Sequence, residues 1–372
     1  MSEQKTAIDD KKFSLKKIPK KPLFVVVFVL INIIVIAITA FSEFGNSANA
    51  AKLEDVKING WFLIPAVICF LVAITAEIHK YVVMMREMSK KEKFDLARAR
   101  KVARRTVLLG KYYDSITPAA IGGQPFQIYY MRKNSGLGAG ISTSIPVFGM
   151  MAGQLGFIII ALLCFLFGSA SIDNAVLIGT AFFGLIFYAF WPVTVLIATF
   201  LPNSTAELIN KVVAFLAKIH IVKNRKATTA KVELEVAEYA KCVRKALKTK
   251  GLFLKTILLS IVFNALIATI PFFVLTAFGG DVDFLPCFVT TVAVTSAVYF
   301  VPTPGNAGAA EGAFFVVFSA LSTGYVFWAM LVWRFFSYYI YILMGPIIYF
   351  IMHLEKKRTE NGKAKDEEKN QK

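Results

Sequence analysis

Cysteine, histidine and charge are scarce in this chain, and each scarcity removes a class of function. Its four cysteines, Cys69, Cys164, Cys242 and Cys287, show no paired spacing. Three lie in apolar runs and Cys242 in a basic segment, which argues against a disulfide framework. The three histidines, His79, His220 and His353, are far apart and stand near segment ends, with no second ligand at metal spacing. No metal site and no cofactor are expected on that pattern. A phosphate-cradling GxxxxGK[ST] loop is missing, and no nucleophile stands in a recognisable arrangement with a histidine base. Charged residues make up only 18% of 372 positions, too few to coat a soluble domain of that size.

What is present is apolar and aromatic. Hydrophobic residues account for 56% of the chain, with 34 Phe and 13 Tyr, and the mean hydropathy is +0.60. One soluble core does not need that much apolar surface, so lipid must cover part of it. Six runs are long enough to cross a bilayer of about 30 Å: Leu23 to Phe41, Gly60 to Ile78, Ile141 to Phe167, Ala175 to Leu201, Leu252 to Phe278 and Tyr325 to Met352. The first follows Lys20 and Lys21 but outruns a signal-peptide core, and reads as a retained span. The chain then divides into a basic cytosolic lead (1–21), a polytopic membrane domain (22–352) and a charged cytosolic tail (353–372).

Orientation follows from Lys and Arg, which hold short loops in the cytoplasm. Lys80 to Arg105 carries ten basic residues against three acidic, and Pro202 to Gly251 eleven against four. The links near Asp173 and near Asp281 and Asp283 have no Lys or Arg. Segments 80–105 and 202–251 are therefore placed in the cytosol with both termini. Val232, Leu234, Val236, Ala240 and Leu247 among the charges of 202–251 suggest an amphipathic helix on an anionic membrane surface.

Two further apolar stretches, Thr106 to Met131 and Phe284 to Leu321, are broken by Pro and Gly. Basic residues flank the first on both sides, so it must enter and leave from the cytoplasm, as a re-entrant hairpin or as two short crossings; parity requires the second to enter and leave from outside. The expected fold class is an all-α integral membrane protein of six transmembrane helices plus two broken re-entrant hairpins, arranged as an inverted repeat. Many transporters build a midplane site in that way.

The first hairpin, KYYDSITPAAIGGQPFQIYYMRK, holds Tyr112, Tyr113, Asp114, Ser115, Thr117, Gln124 and Gln127 around Pro118, Gly122, Gly123 and Pro125. Backbone freed at such breaks cannot face hydrocarbon and must line protein or a wet cavity. The second, VPTPGNAGAAEGAF, has Pro302, Thr303, Pro304, Gly305, Asn306, Gly308 and Gly312, with Glu311 at membrane depth. Arg334 in the sixth span is its natural counter-charge, or a partner for a phosphate. Plainer roles fit as well. Asp114 can pair with Lys111 or cap a short helix, Glu311 with Arg334 can simply hold the bundle, and Tyr129 and Tyr130 can form an interfacial aromatic belt. Glu77 and Lys255, near span ends, read as snorkelling side chains.

ITPAAIGGQPFQIYY, Ile116 to Tyr130, and PTPGNAGAAEGAF, Pro302 to Phe314, are similar to the two signature stretches of the lysylphosphatidylglycerol synthase transmembrane-region family, also called flippase-like. The resemblance covers nearly the whole chain in segment order. Thr117, Pro118, Gly122, Gly123, Gln124, Pro125, Pro302, Pro304, Gly305, Gly308, Glu311 and Gly312 match its functional positions, while Asn306 stands where glycine is common. The resemblance implies a membrane region that moves aminoacylated phospholipid between leaflets of a bacterial plasma membrane, contributing to cationic-peptide resistance. In full-length relatives a separate soluble domain transfers lysine from lysyl-tRNA to phosphatidylglycerol. The twenty residues from His353 to Lys372 are too short for such a domain, so lipid handling is expected ahead of lysyl transfer, lipid-linked glycosyl transfer or a scaffold role. The partners expected are membrane phospholipids and a separate lipid-modifying enzyme, with no nucleic acid other than lysyl-tRNA under the enzyme reading.

Overall fold

The computed structural model describes Phe41 and residues 57–89, 95–120, 122–168, 170, 172, 174–218, 225–322 and 325–370. Among these, twelve α-helices form in chain order. They are α1 (Leu63–Met88), α2 (Leu96–Ile116), α3 (Gly123–Asn134), α4 (Ala139–Gly168), α5 (Ala175–Phe200) and α6 (Pro202–Lys218). Then follow α7 (Arg225–Lys248), α8 (Lys250–Ala277), α9 (Phe284–Val298), α10 (Ala309–Ser319), α11 (Val326–Arg334) and α12 (Ile340–Asn370). The architecture is all-α, as expected.

Among the described residues, five stretches are long and apolar enough to cross a membrane: Gly60–Met88, Ala139–Gly168, Ala175–Phe200, Gly251–Ala277 and Val326–Glu355. They correspond to five of the six expected spans. The remaining one, Leu23 to Phe41, lies outside the described residues except for Phe41, as do the lead 1–21 and Asp173. The outer surface has the inverse of a soluble pattern. On α5, Phe182, Phe183, Ile186, Phe190 and Val193 are all exposed, which suits a helix solvated by acyl chains. Its inner face carries Gly184, whose α-carbon sits so close to the Ser296 carbonyl of α9 that a β-carbon would collide with it. Glycine there lets the two backbones touch.

Helix starts are set by side chains where the chain is polar. Asp95 accepts hydrogen bonds from the amides of Ala97 and Arg98 at 2.9 and 3.2 Å, and Asn174 accepts one from Leu177 at 2.9 Å. Both satisfy amides that a helix terminus leaves unpaired. Helix α1 runs to Met88, past the apolar run that ends at Ile78. Its last turns, with Lys80, are therefore inside the bundle.

Both broken stretches are hairpins. Arg98 Nε at the start of α2 donates to the Asn134 carbonyl at the end of α3, 3.0 Å away. At the other end, a β-carbon on Gly280, just before α9, would touch the Ser322 hydroxyl just after α10. Each pair thus enters and leaves at one end of the bundle. The α2–α3 end collects Met84, Met88, Ala99, Ala103, Tyr130, Met131, Phe148 and Val243 in one core cluster. Opposite it, the Asn59 amide meets the Ala277 carbonyl at 2.8 Å and the Tyr325 amide meets Phe278 at 3.0 Å. The short 3-10 turns at the two tips, Pro118–Ala120 and Pro304–Asn306, pack against each other.

Segment 202–251 is more tightly integrated than a helix lying on a lipid surface. It folds as α6 and α7 packed together, and α7 buries Ala240, Val243 and Ala246 completely or nearly so against the ends of α4 and α5. Ala240, Val243 and Ala246 make a docking stripe for the bundle, while Leu234 stays exposed. The sixth expected span is also not one regular helix: a π-helical turn, Phe335–Tyr339, separates α11 from α12 directly after Arg334. Such turns widen a helix locally and recur at functional sites.

Candidate functional site

The break between α2 and α3 is built from three side chains. Thr117 adopts an extended backbone, so α2 stops there. Its hydroxyl donates to the Tyr113 carbonyl at 2.7 Å and accepts the Gly122 amide at 2.9 Å. Asp114 Oδ1 accepts the Gly123 amide at 2.9 Å and so caps α3 from the preceding helix. A carboxylate suits that place because the amino end of a helix is electropositive. Of the alternatives for Asp114, capping is the one observed; Lys111 is not within ion-pair distance of it.

Pro302 and Pro304 end α9, and three neighbouring residues then take left-handed backbone: Gly305 at φ +58°, Asn306 at +56° and Gly308 at +86°. Asparagine tolerates that region better than other side-chain-bearing residues, which explains Asn306 in a glycine-rich loop. The Thr303 hydroxyl closes the turn on the Ala307 carbonyl at 2.9 Å. Glu311 Oε2 then accepts the Gly308 amide at 2.7 Å. Its other oxygen accepts from Arg334 Nε at 2.7 Å, with the two side chains 1% and 4% exposed. The Arg334 guanidinium also donates to the Gly305 carbonyl at 3.3 Å and lies over the Tyr338 ring, 4.6 Å from its centroid.

Between the two tips lies a cavity of about 710 Å³, within the range of sites that enclose a small ligand. Of the residues expected to carry function, Asp114, Gln124, Pro125, Gln127, Gly305, Asn306 and Arg334 line it. Glu311 does not; it stands behind Arg334 and aims it. Thr117, Pro118, Gly122, Gly123, Pro302, Thr303, Pro304, Gly308 and Gly312 shape the backbone around the cavity without lining it. Tyr112 and Tyr113 face elsewhere: Tyr112 packs where Gly345 leaves room for its ring. Tyr113 stacks on Phe126 at 4.4 Å and shares a 2.8 Å hydroxyl contact with Tyr349. The aromatic-belt reading suits Tyr129, which is 44% exposed with Lys133 above its ring, but not Tyr130, which is buried.

Several lining residues were not anticipated. Glu77 does not snorkel; it faces the cavity and pairs with Lys80 at 2.8 Å. Lys80, only 1% exposed, also donates to the Gly149 carbonyl at 3.2 Å and the Ser260 hydroxyl at 3.1 Å. One ammonium thus joins α1, α4 and α8. Lys111 also lines the cavity, its ammonium 5.0 Å from the Phe263 ring centroid. Gln154 donates to the Tyr299 hydroxyl at 3.0 Å, and the Tyr81 hydroxyl donates to Gln127 at 3.1 Å. The available signal was the pair Glu77 and Lys80 at helical i,i+3 spacing, with Gln154 and Asn264 inside otherwise apolar spans.

The lining therefore offers two carboxylates, Glu77 and Asp114, and two cations, Lys111 and Arg334, amid amides and phenols. Such a surface can hold a ligand bearing both a phosphate and an amine, with carboxylates facing ammonium and guanidinium facing phosphate. Charges at this depth are costly without partners, and here the two buried cations, Lys80 and Arg334, are each paired.

No curated protein and no solved structure matches the chain. The family described as lysylphosphatidylglycerol synthase TM region matches residues 23–345, a stretch that includes both hairpins and every residue lining the cavity. On that match, and with the broken hairpins in place, this membrane protein belongs to the lysylphosphatidylglycerol synthase TM-region family.

Proposed function

We propose that the protein is a lipid flippase, passing a phospholipid headgroup through the central cavity while the acyl tails stay in the bilayer. The observation that carries this reading is the mixed lining: Glu77 and Asp114 stand with Lys111 and Arg334 around one cavity in an otherwise apolar bundle. An aminoacylated phospholipid, such as lysyl-phosphatidylglycerol, carries the matching groups, an anionic phosphate and ammonium groups. In this account Arg334 and Lys111 receive the phosphate, and Asp114 and Glu77 receive the amines. The breaks at Thr117–Gly123 and Pro302–Gly308 supply polar backbone that replaces water around the moving headgroup.

The proposed setting is a bacterial plasma membrane with both termini in the cytoplasm, working beside a lipid-modifying enzyme. Lysylated lipid moved outward would lower the negative charge of the outer leaflet and weaken its attraction for cationic peptides. The test is the lipid inventory and leaflet distribution of a host expressing the chain, compared with a Lys111→Gln, Asp114→Asn variant. An unchanged inventory with altered outer-leaflet exposure, lost in the variant, supports the flippase. A new aminoacyl or glycosyl lipid that vanishes in the variant would replace it with a transferase.

A further inference from the structure

Outside the central cavity, the junction of α7 and α8 holds a second concavity of about 540 Å³ lined by Lys241, Arg244, Lys245, Lys248 and Thr249. We propose that it binds a single phosphate group, that of an anionic lipid headgroup at the membrane boundary.

Four of the five lining residues are cationic, and none is acidic. They stand at positions i, i+3, i+4 and i+7 of α7, one face of the helix. Every neighbouring pair on that face is like-charged, a placement that disfavours the helix unless an anion sits among the side chains. No ion pair joins any of the four to a carboxylate among the described residues. The Arg244 Nε is buried without a hydrogen-bond partner, so the protein itself does not satisfy every donor of this guanidinium. The opposite face, Ala240, Val243 and Ala246, is buried against the bundle, which holds the cationic stripe in place.

Position narrows the ligand. Helix α8 begins at Lys250, immediately after the pocket, and Gly251–Ala277 is a membrane-span candidate. The pocket therefore sits where a span leaves the bilayer, at headgroup level. A guanidinium with flanking ammonium groups is the usual arrangement for a phosphate. Because the site is apart from the central cavity, its occupancy does not depend on whether that cavity moves lipid.

The experiment counts lipids retained by purified full-length protein, by native mass spectrometry, in micelles supplied with phosphatidylglycerol or with phosphatidylcholine. Titration calorimetry with inorganic phosphate runs in parallel. Two variants remove the site, Arg244→Gln with Lys248→Gln, and Lys245→Gln with Lys248→Gln; the second changes only exposed side chains and leaves the fold undisturbed. A control, Lys211→Gln with Lys218→Gln, removes the same charge from α6. The expected result is one phosphatidylglycerol fewer per chain in both site variants, none lost in the control, and no change with phosphatidylcholine. If lipid counts hold but phosphate binding drops about ten-fold in the site variants alone, the site stands and its ligand is a soluble phosphate. Equal losses in site variants and control, or no loss in any, would overturn it.

Discussion

Glu311 stands between a helix end and a guanidinium. One of its oxygens takes the Gly308 amide at 2.7 Å and the other takes Arg334 Nε at 2.7 Å. A single carboxylate thereby starts α10 and aims Arg334 at the cavity. Removing its charge strands a buried cation. Glu311→Gln should lower stability by about 3–5 kcal/mol, read as a fall in thermal midpoint in micelles, and Glu311→Gln with Arg334→Met should recover a large part of it. A double variant as unstable as the single one would show that the pair is not the dominant contribution.

Asp114 has two separable properties, its hydrogen bond to Gly123 and its charge. Asp114→Asn keeps an acceptor for the amide, so stability should change little, while lipid movement falls. Asp114→Ala removes the cap as well and should cost about 1 kcal/mol more. Equal thermal midpoints for the two variants would contradict the capping role.

Gly305 has φ +58° and its α-carbon lies against the ring of Tyr338. Gly305→Ala should therefore destabilise the turn by about 1–3 kcal/mol, in part through collision with that ring. Adding Tyr338→Ala should relieve the collision but not the backbone strain. A neutral Gly305→Ala, measured by thermal unfolding, would contradict the turn geometry.

The hairpin arrangement makes a topological prediction. In a background without Cys69, Cys164, Cys242 and Cys287, Lys101→Cys and Lys133→Cys should react with an impermeant thiol reagent from one side of the membrane. Phe284→Cys and Leu321→Cys should react from the other. Labelling of Lys101→Cys and Lys133→Cys from opposite sides would make the α2–α3 segment a full crossing.

Five of the six spans and the two breaks were legible because apolar length, proline and glycine act locally. Arg334 as the partner of Glu311 was legible too, since a lone carboxylate and a lone guanidinium in apolar surroundings have few other choices. Glu77 and Lys80 were not. A hydropathy run ends at Ile78, but α1 continues because Lys80 is held by acceptors from α4 and α8, which no window along one segment contains. The docking of α7 escaped for the same reason: Val243 and Ala246 are buried by neighbours distant in sequence. Tyr112 and Tyr113 looked like path residues from their neighbours in the chain, whereas their rings pack between helices.

The most direct test uses purified protein in vesicles loaded with lysyl-phosphatidylglycerol in the inner leaflet, with an impermeant amine reagent outside. The protein should speed the appearance of reactive lipid, and Lys111→Gln with Asp114→Asn should slow it by about ten-fold, the equivalent of roughly 1.4 kcal/mol. Reactive lipid appearing no faster than in protein-free vesicles would contradict the account.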